Sequence, residues 1–385
     1  MNVVDLFAGC GGLSLGLRRA GCKIISAVEW DKEALNSYKK NHFGSNIIAD
    51  DIKSLITGDN IREKLSLNNE VHLLCGGPPC QGFSQINPFR SIEDPRNSLV
   101  DYFFNAVVQI QPRVVLMENV TGILTLDDGK AFNSLLKNLE NIGYKTSVGI
   151  IQAGSFGLPQ NRWRVFVVAI KQANNLFKWP NPTHRFHSTN FIGMPKWRSS
   201  VIDSRSTDLF TINLKDSASV RDFIGDLPEE VQSKPDSFIE LNVPNSTEKL
   251  VIYDHSGFNL EDISLERCKH IPPGGGWLDL PTNLQPENLK KYAKRKGSFN
   301  SRWGRLDWNG TFPTIVTKPE PYWGRYIHPT ADRVISIREC ARAQGFPDDF
   351  RFCGPISSRY RQIGNAVPPP IAYLLGTAIK EAIGL

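Results

Sequence analysis

A cysteine and a glutamate come at the ends of two apolar runs that are predicted to be strands. Cys80 follows the run 71–75 and the turn 76–79, and Glu118 comes at the end of the run 113–117. Two prolines before Cys80 fix the backbone and disfavour helix there. A thiol and a carboxylic acid at the carboxyl edge of a parallel sheet, where ligands bind, favour covalent catalysis with proton donation. The alternative for a lone cysteine is a buried small hydrophobe or an inert surface thiol.

A glycine-rich loop follows the first predicted strand, residues 3–7. Glycines at 9, 11 and 12 permit a ligand to approach the backbone closely. The dinucleotide fingerprint requires a further glycine at the position that Ser14 occupies. The loop therefore suits a nucleoside that carries no pyrophosphate.

Acidic and aromatic side chains follow the next two predicted strands. Glu29 lies 18 residues beyond Gly11, about where nucleotide-binding folds place the carboxylate that takes ribose hydroxyls. Trp30 beside it can stack on a purine, and Asp51 and Ile52 offer a carboxylate and an apolar side chain for adenine. An acid at one strand end is more often structural, but three such sites in succession predict a nucleoside pocket.

The elements that position these residues alternate along the first 170 residues. Seven β-rich runs are predicted as strands: residues 3–7, 23–28, 46–49, 71–75, 113–117, 145–151 and 164–170. Apolar residues at 132, 135, 136, 139 and 142 recur with helical spacing, and Gly143 follows as a C-cap. Strands that alternate with helices predict parallel βαβ units. We therefore predict an α/β fold with a doubly wound, mostly parallel sheet.

The composition changes between residues 172 and 330. Proline, asparagine, serine and glycine become frequent, and only short strands are predicted, at 250–253 and 314–317. Six tryptophans in this stretch argue against a disordered linker. Helical patterns return at 335–345 and 371–383. We predict a catalytic domain of residues 1–171 and 331–385, and a smaller, loop-rich second domain of residues 172–330.

Composition restricts the possible classes of protein. The 385 residues have a net charge of +6, which is compatible with a polyanionic partner but weak evidence for one. Mean hydropathy is −0.28 and no apolar run is long enough to span a membrane, so secretion and membrane insertion are not expected. Seven cysteines without a CxxC pair, and histidines without zinc spacing, predict reduced thiols and no metal.

Several ordered motifs resemble those of the cytosine-C5 DNA methyltransferase family, and the likeness runs from residue 3 to residue 383. They are the nucleophile loop 77–84, the acid motif 118–120, the motif 160–164 and two closing motifs at 338–347 and 362–367. The nucleophile loop and the last motif are highly specific, whereas the glycine loop alone is not. The resemblance implies a Rossmann-like fold that binds S-adenosyl-L-methionine. It also implies methyl transfer to C5 of a flipped cytosine in duplex DNA through a Cys80 adduct, with S-adenosyl-L-homocysteine as product.

The resemblance assigns roles to individual residues. Cys80 would attack C6 of cytosine, and Glu118 would protonate or hydrogen-bond N3. Arg164 would hold the base O2, and Arg162 would position Glu118. The cofactor contacts that it implies are Phe7, Ala8, Gly9, Gly11, Gly12, Glu29, Trp30, Asp51, Ile52, Pro79, Leu99, Asn365 and Val367.

The segment from 81 to 98 is polar and too long for a simple connection between a strand and a helix. We expect it to be a lid that closes on flipped DNA, with Ser84 and Arg96 in contact with the phosphate backbone. An ordered surface loop is the alternative.

Residues 271–317 in the second domain resemble the CpG-methylating branch of the family. We therefore expect the DNA site to contain a CG step. Arg302 and Arg305 would read guanine through the major groove, since arginine on guanine is the commonest specific contact, and Thr314 in the same stretch would also touch DNA. The basic residues at 290–296 would hold phosphates. The alternative is that this stretch shapes the domain while other loops select the site.

Three other functions share part of the pattern. Methylation of tRNA cytosine uses the same fold, but those relatives carry a short target domain with a Cys-Phe-Thr tripeptide that this chain lacks. A silent DNA-binding regulator would typically lose the nucleophile or the glycine loop, and a nicotinamide oxidoreductase would need the third glycine. We expect a monomeric, cytoplasmic and nucleoid-associated modification enzyme of bacterial type. A cognate restriction endonuclease would act on the same DNA site without forming a stable complex with it.

Overall fold

The computed structural model describes residues 1–58, 60–79, 99–173, 175–186, 201–203, 214–232, 234, 236–242, 249–293 and 301–385. Cys80 and the predicted lid at 81–98, with Ser84 and Arg96, lie outside the described residues, as do residues 294–296 of the basic stretch. The chain forms two compact units. Unit 1 comprises residues 1–156, 163–215 and 366–385, and unit 2 comprises residues 157–162 and 216–365.

Unit 1 is built on a sheet that has eight strands among the described residues. They are β1 (Asn2–Leu6), β2 (Lys23–Val28), β3 (Asn46–Ile48), β4 (Leu73–Gly76), β5 (Val114–Val120), β6 (Tyr144–Gln152), β7 (Trp163–Lys171) and β9 (Val201–Asp203). Their order across the sheet is β3-β2-β1-β4-β5-β7-β6-β9. Only β7 runs antiparallel to its neighbours in this sheet, β5 and β6. Between β7 and β9 lies β8 (His184–Arg185), which pairs with β10 (Lys215–Asp216).

The helices of unit 1 bury mainly apolar side chains. They are α1 (Gly12–Arg19), α2 (Lys32–Asn41), α3 (Ile52–Ile56), α4 (Ile61–Lys64), α5 (Leu99–Ile110), α6 (Lys130–Asn141) and α12 (Pro369–Ala382). In α6 the buried residues are Phe132, Leu135, Leu136 and Leu139, which is the predicted helical stripe. They join a core with the apolar strands and α3 to α5. The predicted α/β fold with a doubly wound, mostly parallel sheet is confirmed.

Unit 2 is rich in loops and has small sheets and short helices. Its strands are β11 (Phe238–Asn242), β12 (Lys249–Tyr253), β13 (Gly304–Arg305) and β14 (Arg325–Ile327). Its helices are α7 (Val220–Ile224), α8 (Asp262–His270), α9 (Glu287–Lys290), α10 (Ile337–Ala343) and α11 (Ile356–Asn365). A small core of Cys268, Ile271, Trp277, Leu280, Leu289, Trp303 and Ile327 holds part of it together.

One predicted strand is wrong, and the units divide the chain at unexpected positions. Residues 314–317 are not a strand, because side chains rather than a neighbouring strand satisfy this backbone: Gln160 accepts from Ile315 N, and Tyr326 donates to the Thr314 carbonyl. Residues 331–365 belong to unit 2, since α10 donates backbone hydrogen bonds to the carbonyls of Asp254 and Ser256. The assignment of target recognition to residues 172–330 stays a prediction. No helix in the described part of the chain is long and apolar enough to cross a membrane.

Candidate active site

The carboxyl ends of the central strands are in register. Leu6 of β1 pairs with Gly76 of β4, and Gly76 pairs with Met117 of β5. The glycine loop, the turn that leads to Cys80 and the carboxylate of Glu118 therefore leave the sheet at the same edge. This is the edge at which ligands bind in open parallel sheets.

The glycine loop is shaped by residues with left-handed backbone. Phe7 has φ +60°, Gly9 +59° and Gly11 +97°. A Cβ on Gly11 would lie 2.1 Å from Nε2 of His42, so glycine is required there. A Cβ on Gly9 would have nothing within 4 Å, which leaves open space beside that part of the backbone.

A buried polar network supports the loop from β1 and the two following helices. Ser14 of α1 donates to Asp5 Oδ2 at 2.6 Å and lies 2.9 Å from the hydroxyl of Tyr38 in α2. Burial raises the pKa of Asp5 to about 7, and repulsion by Glu29 adds to the rise. Ser14 thus has a structural role at the position where the dinucleotide fingerprint has glycine.

Glu29 closes the loop from the next strand. Its Oε2 accepts from Gly9 N at 2.7 Å and its Oε1 accepts from Asp31 N at 2.8 Å. Burial raises the pKa of this carboxyl. The neighbouring indole of Trp30 is 70% exposed. A flat exposed ring, an oriented carboxylate and open space beside Gly9 fit a nucleoside.

The other predicted cofactor contacts have different environments. Asp51 is exposed and caps α3 by accepting from Lys53 N, whereas Ile52 is buried in the core. Pro79 precedes Cys80, Leu99 begins α5 and Val367 is buried, all in unit 1. Asn365 ends α11 in unit 2. Their contacts with a cofactor stay predictions.

Glu118 forms a buried ion pair on unit 1. Its Oε1 lies 2.9 Å from Nε of Arg164, which comes from the adjacent antiparallel strand β7. Burial lowers the pKa of Arg164 while the carboxylate opposes that shift. The resemblance implied that Arg162 orients Glu118, and the structure places Arg164 in direct contact with it. An acid held in one orientation at this sheet edge is placed to bind a ring nitrogen, and it can donate to that nitrogen in its protonated form.

The turn before Cys80 is tied to the same strand. Asn119 donates from Nδ2 to the carbonyl of Pro78 at 3.2 Å. A Cβ on Gly77 would lie 3.0 Å from Oε2 of Glu118, so a larger residue would crowd the carboxylate. Glu118 and the turn residues Gly77 and Pro78 therefore lie against one strand, β5.

Two described cysteines on unit 1 are unsuited to act as nucleophiles. Burial raises the pKa of Cys10 to about 12 and that of Cys75 well above its usual value, so both are neutral thiols at pH 7. Among the described residues no cluster of histidine, cysteine or acidic side chains is arranged to hold a metal ion.

Arg162 lies in unit 2 and is buried. It donates to the carbonyls of Ile315 at 3.1 Å and Gly364 at 3.0 Å. Thr314, a predicted DNA contact, donates its hydroxyl to the carbonyl of Asn161 at 2.6 Å. These bonds join the segment 160–162 to the segment 312–316, and the predicted functions of both residues stay predictions.

The buried environment of Arg305 does not fit its predicted contact with guanine. It is 4% exposed, and its guanidinium donates to the carbonyls of Ile271, His328, Ala331 and Cys268. Its Nη2 also pairs with Asp332 at 2.6 Å. Because every guanidinium nitrogen is engaged inside the protein, Arg305 holds unit 2 together. Arg302 is half-buried and lies against two aromatic rings.

No sequence motif identifies the residues that support the site. Asp5 lies in a predicted strand, no element was predicted at Tyr38 or His42, and no short motif marks any of the three as a partner of the glycine loop. The contact between Arg164 and Glu118 depends on β7 lying antiparallel to β5, which the spacing of the two residues does not reveal.

Comparison with known proteins places this geometry in a family. A sequence model described as C-5 cytosine-specific DNA methylase matches residues 1–381. "DNA (cytosine-5)-methyltransferase 1A" of Oryza sativa subsp. japonica is 36% identical over all of this chain and "DNA (cytosine-5)-methyltransferase 2" of Arabidopsis thaliana is 34% identical. The chain covers 28% and 29% of the length of these relatives.

Solved structures resemble the fold over the whole chain. A putative DNA modification methyltransferase encoded within a prophage of E. coli has a TM-score of 0.71 and 27% identity, with both chains fully covered. The S. pombe Dnmt2 methyltransferase has a TM-score of 0.60 at 16% identity, with 100% of this chain and 99% of that chain covered. The second likeness concerns the fold alone.

Proposed function

The chain belongs to the C-5 cytosine-specific DNA methylase family, and we propose that it methylates C5 of cytosine in duplex DNA with S-adenosyl-L-methionine as donor. The observation that supports this best is the common sheet edge. There the ion pair of Glu118 with Arg164 lies beside the turn that leads to Cys80, and the glycine loop with Glu29 leaves the same edge.

The cofactor fits the nucleoside features of unit 1. The carboxylate of Glu29 would accept the ribose hydroxyls, and the exposed ring of Trp30 would cover the adenine. Asp51, Ile52, Pro79, Leu99, Asn365 and Val367 complete the proposed contacts, together with Phe7, Ala8, Gly9, Gly11 and Gly12. When bound, S-adenosyl-L-methionine supplies an electrophilic methyl group on a cationic sulfonium.

The protein's own task is to make C5 of cytosine nucleophilic. The thiolate of Cys80 adds to C6, and Glu118 donates a hydrogen bond or proton to N3, so that the electron pair moves to C5. After C5 gains the methyl group, a base removes the C5 proton and the C6–S bond breaks, which restores the aromatic ring. Arg164 keeps Glu118 oriented and can hold the base O2, and the proposed second positioning residue is Arg162.

The base must leave the duplex to reach this edge. Unstacking costs a few kcal/mol, which contacts in the pocket offset. We propose that Ser84 and Arg96 contact the phosphate backbone and that the DNA site contains a CG step read partly by Arg302. Bisulfite sequencing of DNA from cells that express the chain would identify the site, and a site without guanine 3′ to the modified cytosine would refute the CG step.

Incubation of the purified chain with cofactor and unmethylated duplex DNA tests the function. Mass spectrometry of the digested DNA should show 5-methylcytosine with wild type and none above background with Cys80→Ser. Methylation by Cys80→Ser at the wild-type rate would refute the mechanism. A parallel reaction with tRNA tests the alternative substrate, and methylation of tRNA alone would replace DNA as the proposed substrate.

A further inference from the structure

Two buried carboxyls hold the glycine loop of unit 1. Asp5 lies in β1, and Glu29 follows β2, the parallel neighbour of β1. Asp5 is 1% exposed and accepts from the Ser14 hydroxyl of α1 at 2.6 Å. Glu29 is 7% exposed and accepts from Gly9 N at 2.7 Å. Asp5 therefore holds the helix that follows the loop, and Glu29 holds the loop itself. We call these two side chains the carboxyl pair.

The carboxyl pair has acidic neighbours and no cationic partner. Burial is the main cause of the raised pKa of both carboxyls, and repulsion by Glu29 adds to the rise at Asp5 as repulsion by Asp31 does at Glu29. Within the part of the chain that the structure describes, no lysine or arginine forms an ion pair with either carboxyl. Because an opposite charge favours the ionised form of a carboxyl, a cation bound at the loop would relieve this repulsion.

The other titratable groups around Asp5 keep their charge near neutral pH. They come from the loop, from α1, from α2 and its end, and from β4, and they are Cys10, Arg18, Tyr38, His42 and Cys75. Burial raises the pKa of the two thiols and of the phenol, and it lowers the pKa of His42 to about 4, so these four groups are neutral at pH 7. Arg18 donates to the Phe43 carbonyl and to Ser45. Asp5, whose pKa burial raises to about 7, is the group among them that changes its charge near pH 7.

The proposed cofactor changes its charge during the reaction. S-adenosyl-L-methionine carries a cationic sulfonium, whereas the S-adenosyl-L-homocysteine that remains after methyl transfer carries a neutral sulfide. Both ligands present the same adenine and ribose, so contacts with those groups cannot distinguish donor from product. An ionised carboxylate in a buried site can, because the attraction between opposite charges is stronger there than in water.

We propose that Asp5 is a specificity-determining residue of the cofactor site, and that its buried carboxylate favours the cationic donor over the neutral product. This inference rests on the proposed function. Asp5 acts by its charge from beneath the loop, whereas Glu29 would serve both ligands alike through the ribose hydroxyls. Since a bound cation stabilises the ionised carboxylate, binding of the donor releases to solvent the proton that the neutral fraction of Asp5 holds, and binding of the product releases less.

The test compares binding of the two ligands without the methylation reaction. Isothermal titration calorimetry measures the affinity of the full chain for S-adenosyl-L-methionine and for S-adenosyl-L-homocysteine, in the absence of DNA, from pH 6 to pH 8. Titrations in phosphate and in Tris, which differ in ionisation enthalpy, give the number of protons released. The variants are Asp5→Asn, which stays neutral, and Ser14→Ala, which removes a hydrogen bond that lowers the pKa of Asp5. The matched control is Asp222→Asn at the exposed start of α7 in unit 2.

The ratio of the two dissociation constants, product over donor, should rise between pH 6 and pH 8 about threefold to tenfold more in wild type than in Asp5→Asn, because a change of one in the pKa of a linked group changes affinity about tenfold. Ionisation of the ligand's own amino group is common to both proteins and cancels in this comparison. At pH 7 the donor should release up to about half a proton more from wild type than from Asp5→Asn. In Ser14→Ala the rise should move to higher pH, and Asp222→Asn should behave as wild type.

The same pH dependence of the ratio in wild type and in Asp5→Asn would overturn the inference. An equal loss of affinity for donor and product in Asp5→Asn, with the ratio unchanged at every pH, would also overturn it, because Asp5 would then only shape the loop. Thermal melting shows whether each variant folds. If Asp5→Asn does not fold, Ser14→Ala carries the test, and an unshifted pH dependence of its ratio overturns the inference. A wild-type chain that binds neither ligand would overturn the proposed function itself, a result distinct from the others.

Discussion

At the scale of single residues, the site depends on side chains beneath the glycine loop as much as on the loop. In the sequence, Ser14 is informative only because it stands where the dinucleotide fingerprint has glycine. In the structure the same hydroxyl bonds Asp5 and lies against Tyr38, and His42 fills the space under Gly11. The residues of the glycine loop were predictable because they form a sequence motif. The residues that support the loop come from three separate elements, so no motif contains them.

Replacement of Gly11 by alanine should damage both stability and cofactor binding. The φ of +97° and a Cβ only 2.1 Å from His42 Nε2 combine backbone strain with a clash. We expect a loss of unfolding free energy above about 1–3 kcal/mol, the usual cost of strained backbone alone. Urea unfolding and cofactor binding by calorimetry measure the two effects.

The control for that prediction is Gly143→Ala. Gly143 has φ +89°, but a Cβ there would have nothing within 4 Å, so only the backbone strain applies. An equal loss of unfolding free energy in the two variants would show that His42 moves aside at little cost and that Gly11 has no special role in packing.

Asp5 should make stability depend on pH. Burial raises its pKa to about 7, whereas an unfolded aspartate titrates near about 4. Between these values Asp5 is protonated in the folded chain and ionised in the unfolded chain. The contribution of Asp5 to the free energy of unfolding is therefore fully present below about pH 4 and is lost as pH rises through about 7. Asp5→Asn keeps the shape and stays neutral. The gain in unfolding free energy of Asp5→Asn over wild type should therefore be larger at pH 8 than at pH 5. An equal pH dependence of the unfolding free energy of the two proteins, measured with urea, would contradict this.

At the scale of elements, the sheet was predictable and the irregular segments were not. β2 has the predicted limits, and α6 and β5 differ from prediction by a few residues at their ends. Buried parallel strands and amphipathic helices leave a strong apolar pattern. Residues 314–317 have the composition of a strand, but the side chains of Gln160 and Tyr326 form hydrogen bonds with the backbone of this segment. No local sequence pattern predicts these bonds.

The stability of the first turn of α10 depends on the buried charge of Glu339. Glu339 forms a capping box with Ser336 and accepts from Arg333 Nη1 at 2.8 Å and Nη2 at 2.7 Å. Burial alone would raise its pKa, but Arg333 and His328 lower it to about 2. Glu339→Gln leaves Arg333 buried without its charge partner, so we expect a loss of about 3–5 kcal/mol at pH 7 by urea unfolding.

The pH dependence and a second capping box provide the controls. The stability from Glu339 is present above about pH 4, where the unfolded carboxyl titrates, and is lost as pH falls toward about 2. The difference in unfolding free energy between wild type and Glu339→Gln should become smaller as pH falls over that range. Asp222→Asn weakens the same motif at the exposed start of α7, where Ser219 is the partner, and should cost about 1 kcal/mol. Equal losses in the two variants would refute the special role of the buried pair.

At the scale of the whole chain, motif order predicted the family and the α/β fold, and these were confirmed. The limits of the compact units were harder to predict, because α10 is fixed by hydrogen bonds to Asp254 and Ser256, about 80 residues earlier in the chain. Arg305 was selected as a base reader because arginine is typical of that role, and only its buried carbonyl partners reveal its structural role. Composition and spacing cannot distinguish a buried arginine from an exposed one.

The central claim is that Cys80 forms a covalent bond with cytosine C6 during methyl transfer. A duplex whose target cytosine carries fluorine at C5 tests it most directly, because the fluorine cannot leave as a proton does and the adduct should persist. With cofactor, intact mass spectrometry should show a denaturant-stable species whose mass is that of protein, DNA and one methyl group. Cys80→Ser should form none. Persistent absence of this species with a wild-type chain that methylates the unfluorinated duplex would contradict the account.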